Sequence, residues 1–274
     1  MKFPPLDYVR PPTLGEAIGV LAGDEDAKVL AGGQSLMPLL ALRLARPTVL
    51  VDLAETGLDG VDIGPGGVTL GAFVRQRRLE LAADLGRAVP LLAAAARQVG
   101  YASTRNRGTI GGSLAHADPV AELPTVAVAL GASVVATGPA GARTIACADL
   151  PTGYFSTVLE PDEVLTEVRF PARAERHGAA WHEWSPRAHD FALAGAGIAV
   201  DLDRAGTCVA VHAAACGAGG TPLPLGEVMV AAGAVGWAPR PDAGAPASLL
   251  RAVAIQVTEA AVVAGAESDP AELA

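Results

Sequence analysis

Lys28-Val29-Leu30-Ala31-Gly32-Gly33-Gln34-Ser35-Leu36 is an apolar run that opens into two glycines and a hydroxyl residue. Farther on comes a polar, glycine-rich counterpart, Ser103-Thr104-Arg105-Asn106-Arg107-Gly108-Thr109-Ile110-Gly111-Gly112-Ser113. A diphosphate is held by several backbone N–H groups that converge on one concavity. That requires residues without Cβ atoms, so that the chain can approach closely and turn sharply. Ser35 or Thr109 would add a hydroxyl donor, and a helix starting after the first loop would aim its free N–H groups at the same anion. Either loop alone reads equally well as a tight strand-to-helix turn. Two loops that each close on a small hydroxyl residue point to one shared ligand. The Gly-x-Gly-x-x-Gly dinucleotide fingerprint is absent, because Gly64-Pro65-Gly66 has Thr69 at its third position. The fold that holds the ligand is therefore not expected to be a Rossmann fold.

Around the first loop the pattern is a small α/β unit. Thr13 and Glu16 have capping-box spacing before an apolar helix, Lys28–Leu30 reads as a buried strand, residues 36–44 as a helix and 48–53 as a strand. From Gly60 onward the chain reads differently. A hairpin turns at Gly64-Pro65-Gly66-Gly67, residues 76–99 have helical period broken near Pro90, and Glu122–Leu130 reads as a helix. A second hairpin is centred on Gly138-Pro139, and Val164–Phe170 is extended. A further unit begins near Ala174, with strands over 192–202 and 207–216, helices over 226–234 and 248–264, and a loop over 239–246. Short strands mixed with helices make the class α+β.

Composition narrows the function. Over half of the 274 residues are apolar, few are aromatic, and the formal net charge is −9. No basic stripe is present, so no nucleic acid is expected as a partner. No stretch is long and apolar enough for a membrane span, and the N-terminus lacks a signal peptide's apolar core. Cys147, Cys208 and Cys216 form no Cys-x-x-Cys and have no zinc-like spacing. The expectation is a reduced, cytoplasmic protein with no metal of its own.

Residues 28–36 and Arg105–Pro119, which runs on from the second loop as Leu114-Ala115-His116-Ala117-Asp118-Pro119, resemble the two FAD loops of molybdenum hydroxylases. The chain is similar to the medium, flavoprotein subunit of the carbon monoxide dehydrogenase and xanthine dehydrogenase family. The Tyr8-x-Arg10-Pro11 opening and the segment Ser185-Pro186-Arg187-Ala188-His189-Asp190-Phe191-Ala192-Leu193 extend the likeness over nearly the whole chain.

The resemblance implies a two-lobed FAD-binding domain of the vanillyl-alcohol-oxidase (PCMH) type over residues 1–173, with lobes of about 1–54 and 55–173. A smaller α+β C-terminal domain would occupy 174–274. It further implies that Lys28, Val29, Leu30, Ala31, Gly32, Gly33, Gln34, Ser35 and Leu36 form one side of the FAD site. Thr104, Gly108, Thr109, Gly111, Gly112, Ser113, Ala115 and His116 would form the other. Asp118 and Glu122 would take the ribityl or ribose hydroxyls, and Leu165 and Phe191 would flank the isoalloxazine ring. The implied partners are a small subunit with two iron–sulfur clusters and a large subunit with the molybdenum cofactor. Electrons would pass through this chain to an external acceptor, and no residue here would be catalytic by itself.

Outside those loops, Arg105 and Arg107 read as solvated arginines or as phosphate contacts, Asp190 as an acidic turn residue, and Trp181 and Trp184 as a core or interface anchor. Cys208 and Cys216 read as buried, inert thiols. Two departures from the family stand out. Glu183 occupies a position where many relatives place a basic residue near the flavin, and the chain stops at Ala274 where relatives continue into another helix. Two other functions fit the loops: a stand-alone FAD-dependent oxidoreductase, which would need its own acid or base, and a non-catalytic nucleotide-binding assembly module.

Overall fold

The computed structural model describes residues 3–205 and 207–225. The helices expected over 226–234 and 248–264, the loop over 239–246 and the C-terminus lie outside the described residues.

The first lobe is a three-stranded parallel sheet with two helices. Its elements are β1 (Asp7–Val9), α1 (Leu14–Gly23), β2 (Lys28–Leu30), α2 (Leu36–Ala41) and β3 (Val49–Asp52), in sheet order β1-β3-β2. Helix α1 begins where it was expected to: Thr13 Oγ1 accepts from the Glu16 N–H at 3.2 Å, and the Thr13 hydroxyl bonds the Glu16 carboxylate at 3.0 Å. Ala17 and Leu21 face Val51 and Leu53 in a small core of their own. Helix α2 is shorter than the apolar run predicted. Arg43 enters the left-handed region at φ 60°, which ends the helix and leaves Leu42 and Leu44 exposed.

The second lobe holds β4 (Val61–Gly64), β5 (Gly67–Gly71), α3 (Gln76–Leu81), α4 (Ala83–Ala88), α5 (Pro90–Ala96), α6 (Ala102–Arg107), α7 (Ile110–His116) and α8 (Glu122–Ala129). It continues with β6 (Ser133–Gly138), β7 (Gly141–Ala146), β8 (Pro151–Gly153), β9 (Ser156–Thr157) and β10 (Val164–Pro171). Five of these strands make one antiparallel sheet, β4-β5-β10-β6-β7. The predicted helical stretch 76–99 is three short helices. Pro90 sits in the first turn of α5, where its missing N–H removes no hydrogen bond.

The polar stretch 103–113, expected to be a loop, is mostly helical. Tyr101 and Thr109 are extended N-cap residues, and Gly108 separates α6 from α7. A loop-like composition misled here because the helices are one to two turns each, too short for any apolar period to show.

The remaining described elements are β11 (Arg176–Trp184), β12 (Ala194–Leu202), β13 (Cys208–Cys216) and β14 (Leu223–Pro224), an antiparallel sheet in that order. Strands β12 and β13 match the expected runs, whereas β11 had no clean alternation to announce it. The sheet packs on α5 and α8, so Trp181, Ala214 and Cys216 share one core with Leu91, Leu92 and Val126. Gly195 and Gly197 make this possible: a Cβ on either would sit about 3 Å from the Trp181 ring (2.9 and 3.0 Å). No helix among the described residues is long and apolar enough to cross a membrane.

Candidate functional site: two glycine loops in contact

The two glycine-rich segments, far apart in sequence, meet through their backbones. A Cβ placed on Gly32 would lie 2.4 Å from the Arg107 carbonyl oxygen and 2.7 Å from the Gly108 Cα. One placed on Gly112 would lie 3.3 Å from the Ala31 Cβ and 2.8 Å from Thr109 Oγ1. Glycine is therefore required by close approach at Gly32, and by conformation at Gly33, whose φ is +72°. Ala31, Gly32, Gly108 and Gly112 thus come together as one seam between the lobes.

The two sides of the seam differ in hydrogen bonding. On the second side the donors are engaged: Ile110 N donates to Val74 O, Gly111 N to Ala72 O, Gly112 N to Thr109 Oγ1 and Ser113 N to Thr109 O. Thr109 is buried and acts as the N-cap of α7, leaving its own hydroxyl hydrogen to donate elsewhere. On the first side, the N–H groups of Gly33, Gln34 and Ser35 have no hydrogen-bond partner among the described residues. The Gln34 side chain turns back to Gly32 O, and Ser35 caps nothing with its hydroxyl. Gln34 and Ser35 are exposed, so these donors open outward beside the seam. The first loop therefore offers unengaged donors and the second the wall beside them, an arrangement that could hold an anion. Lys28 is exposed at the start of β2, Val29, Leu30 and Leu36 are half-buried beneath the loop, and Thr104 and Ala115 lie on α6 and α7.

Toward the other end lie His116, Asp118 and Glu122. The His116 ring rests on Phe155 at 5.1 Å between centroids, and Phe155 N donates to Ala117 O. Burial holds His116 below the usual imidazole range, so it is neutral at pH 7. One Asp118 oxygen accepts from Val120 N at 3.0 Å, leaving the other available. Glu122, in the first turn of α8, is pushed up to about 8 by burial, with repulsion from Glu183 and Asp118 adding to it. It is mostly protonated at neutral pH, so it donates a hydrogen bond as well as accepting one. Glu183 is also raised by burial, against the pull of the Trp181 Nε1–H, which donates to it at 2.9 Å.

Leu165 and Phe191 are not alike. Leu165 is buried in the core on β10, whereas Phe191 is 81% exposed in the turn between β11 and β12. That turn is closed by Leu193 N donating to Trp184 O, and the ring of His189, at φ 72°, meets Tyr101 at a tilt, 4.9 Å between centroids. The glycine at 217 links this turn to Asp118: its N–H donates to Pro119 O, and a Cβ there would meet Leu193 O at 2.1 Å.

Arg105 corrects both sequence readings of it. It is neither solvated nor free to touch phosphate: it is 6% exposed, with Nε on Glu80 Oε2 at 2.8 Å and Nη1 on the carbonyls of Val99 and Gly100. Burial pushes the Glu80 carboxyl up, but hydrogen bonds from Arg105 and Arg77 outweigh it and hold Glu80 below the carboxylate range. Arg107 is exposed. Sequence reasoning missed Arg75, Gln76 and Glu80 altogether. Arg75 donates to Arg107 O, Gln76 N to Gly108 O at 2.9 Å, and the buried Gln76 Oε1 under Gly108 has no partner among the described residues. Nothing in their local pattern could have signalled contacts across 25 to 32 residues. The cysteines are free and buried, and burial pushes the thiols of Cys147 and Cys216 up to about 12, so neither is a nucleophile.

The chain is similar to proteins of known family over most of its length. The family described as "FAD binding domain in molybdopterin dehydrogenase" matches residues 2–173. The chain is 40% identical to the 6-hydroxypseudooxynicotine dehydrogenase complex subunit alpha of Paenarthrobacter nicotinovorans, over 81% of this chain and 76% of that one. It is 35% identical to the carbon monoxide dehydrogenase medium chain of Afipia carboxidovorans, over 82% of this chain and 79% of that one. Among solved structures it superposes on quinoline 2-oxidoreductase of Pseudomonas putida 86 with a TM-score of 0.82 at 33% identity, covering 97% of this chain and 99% of that one. Carbon monoxide dehydrogenase of Hydrogenophaga pseudoflava gives 0.83 at 31% identity, covering 97% and 98%.

Proposed function

The chain belongs to the FAD-binding family of molybdopterin dehydrogenases, as the FAD-binding medium subunit of a molybdenum hydroxylase, and from that premise we propose that it is an electron relay. In this reading it takes electrons from the iron–sulfur clusters of a small partner subunit, which are fed by a large molybdenum-cofactor subunit, and passes them to an external acceptor. Bound FAD supplies the redox chemistry, being able to take electrons singly or in pairs.

The observation that carries the proposal is the glycine seam: a backbone contact at Gly32 beside three unengaged N–H groups at Gly33, Gln34 and Ser35. These residues would bind the diphosphate and the half-buried Ala31, Val29 and Leu30 would exclude water from it. Gly111, Gly112, Ser113 and Thr109 would form the opposing wall. Asp118 would accept from a polyol hydroxyl, and Glu122, carrying its proton, would donate to another. Phe191 would cover one face of the flavin ring, the exposed side chain being free to do so. Leu165 would support the ring from within the sheet. Among the described residues no Ser, Cys or carboxylate arrangement suggests a nucleophilic triad, which favours a relay over a stand-alone oxidoreductase. We place the domain boundary near residue 173, which is supported by the extent of the family match.

The test is a visible absorption spectrum of the purified chain, followed by heat release and identification of the cofactor. One FAD per chain, reducible by dithionite but inert toward simple substrates, is expected. A colourless protein that takes up no added FAD, even with its partner subunits present, would refute the relay and leave the assembly module.

A further inference from the structure

We infer that Arg105 and Glu80 are positioning residues for the flavin site, a buckle that holds the second glycine segment against the first; this rests on the two-loop reading above. The contacts form a chain of custody from helix α3 to the seam. The seam's outer wall is the α6–α7 elbow, because the atoms a Gly32 side chain would strike are Arg107 O, Arg107 C and Gly108 Cα. That elbow is tied to α3 at three places. Arg75 at its N-cap donates to Arg107 O, Gln76 N donates to Gly108 O at 2.9 Å, and one turn on Glu80 receives Arg105 at 2.8 and 3.4 Å.

Arg105 does more than pair with Glu80. Its Nη1 reaches Val99 O at 3.0 Å and Gly100 O at 2.6 Å, so the same guanidinium gathers the turn that leads into α6. The fork is buried, with side-chain exposures of 7% for Arg105 and 12% for Glu80, so water cannot replace a lost contact. The side-chain hydrogen bonds of Arg105 go to Glu80, Val99 and Gly100, and not to the glycines of either loop. It acts through the helix it anchors, which ends two residues later at Arg107.

The experiment uses the full chain stripped of FAD, titrated with FAD well below its melting midpoint and followed by quenching of flavin fluorescence. E80Q and R105M are each expected to weaken FAD binding by about tenfold or more, since small displacements of a binding wall are costly, while near-UV circular dichroism of the apoprotein stays at wild type. The E80M/R105M double variant should bind no worse than R105M alone, because the buckle is already open; independent structural losses would add. R143M, which opens an equally short pair between Glu163 and an arginine on β7 that is 46% exposed, should leave FAD affinity unchanged. Wild-type affinity in E80Q or R105M, or an equal loss in R143M, overturns the inference. If R105M does not fold, E80Q decides. G112V separates the two levels: if it keeps FAD, the two-loop reading falls and the buckle with it. If it loses FAD while E80Q and R105M do not, only the buckle falls.

Discussion

Replacing Gly32 by alanine adds one methyl group at the most constrained point of the seam. That methyl would stand 2.4 Å from Arg107 O, 2.7 Å from Gly108 Cα and 2.9 Å from Arg107 C. Non-bonded carbon contacts settle near about 3.5 Å, so the two walls must part by about 1 Å. No side chain can swing aside, since all three atoms are backbone. That backbone is itself tethered, Gly108 N to Thr104 O at 2.7 Å and Gly108 O to Gln76 N at 2.9 Å. Two costs follow: overpacking of about 1–3 kcal/mol in stability, and a diphosphate cradle opened by about 1 Å, which should cost about 100-fold in FAD affinity.

The assay is calorimetric titration of the apoprotein with FAD, alongside thermal melts of apo and loaded protein. Gly33→Ala is the informative contrast. There the methyl meets only the Met37 and Leu30 side chains, at 3.1 and 3.3 Å, and the cost is the φ of +72°. That strain is about 1 kcal/mol, so Gly33→Ala should bind FAD better than Gly32→Ala. An affinity for Gly32→Ala within about twofold of wild type, less than 0.5 kcal/mol, would refute the close-contact reasoning.

Three further outcomes are expected. Asp201→Asn leaves Arg173 buried without the counter-ion it meets at 2.8 Å, and should cost about 3 kcal/mol in urea unfolding; a loss under about 1 kcal/mol would mean that water reaches Arg173. Thr13→Ala removes the cap of α1 and should cost about 1 kcal/mol, whereas Gly15→Ala or Gly19→Ala, with nothing within 4 Å, should each stabilise the same helix by about 0.5–1 kcal/mol. Thermal melts that rank these variants otherwise would contradict the helix assignment. Glu122 is raised from 4.5 to about 8, so between those values the folded chain holds a proton that the unfolded chain has lost. The contribution of Glu122 to stability should be full below pH 4.5, fall as pH rises and level off above 8, and Glu122→Gln should remove that part of the slope. A denaturation series in which the variant keeps the wild-type slope would place the titration elsewhere.

The α+β class, the capped helix after Thr13, the hairpins and the two glycine segments were all legible in the chain, because each rests on local chemistry. A hydroxyl three residues before a glutamate, alternation of apolar residues, and glycines beside a serine act within a few positions. The split of residues 76–99 and the helical nature of 103–113 were only partly legible, since helices of six or seven residues show too little period. Other features could come only from the tertiary structure. That Gly32 touches Arg107 and Gly108, that Arg105 is buried on Glu80 rather than solvated, and that Glu122 faces Glu183 are contacts between distant segments. Sequence determines which residues can approach closely or carry a charge. Which of them do so is decided when the lobes and the β11–β14 sheet close on shared core, where burial gives Arg105 its partner in Glu80 and raises the Glu122 carboxyl.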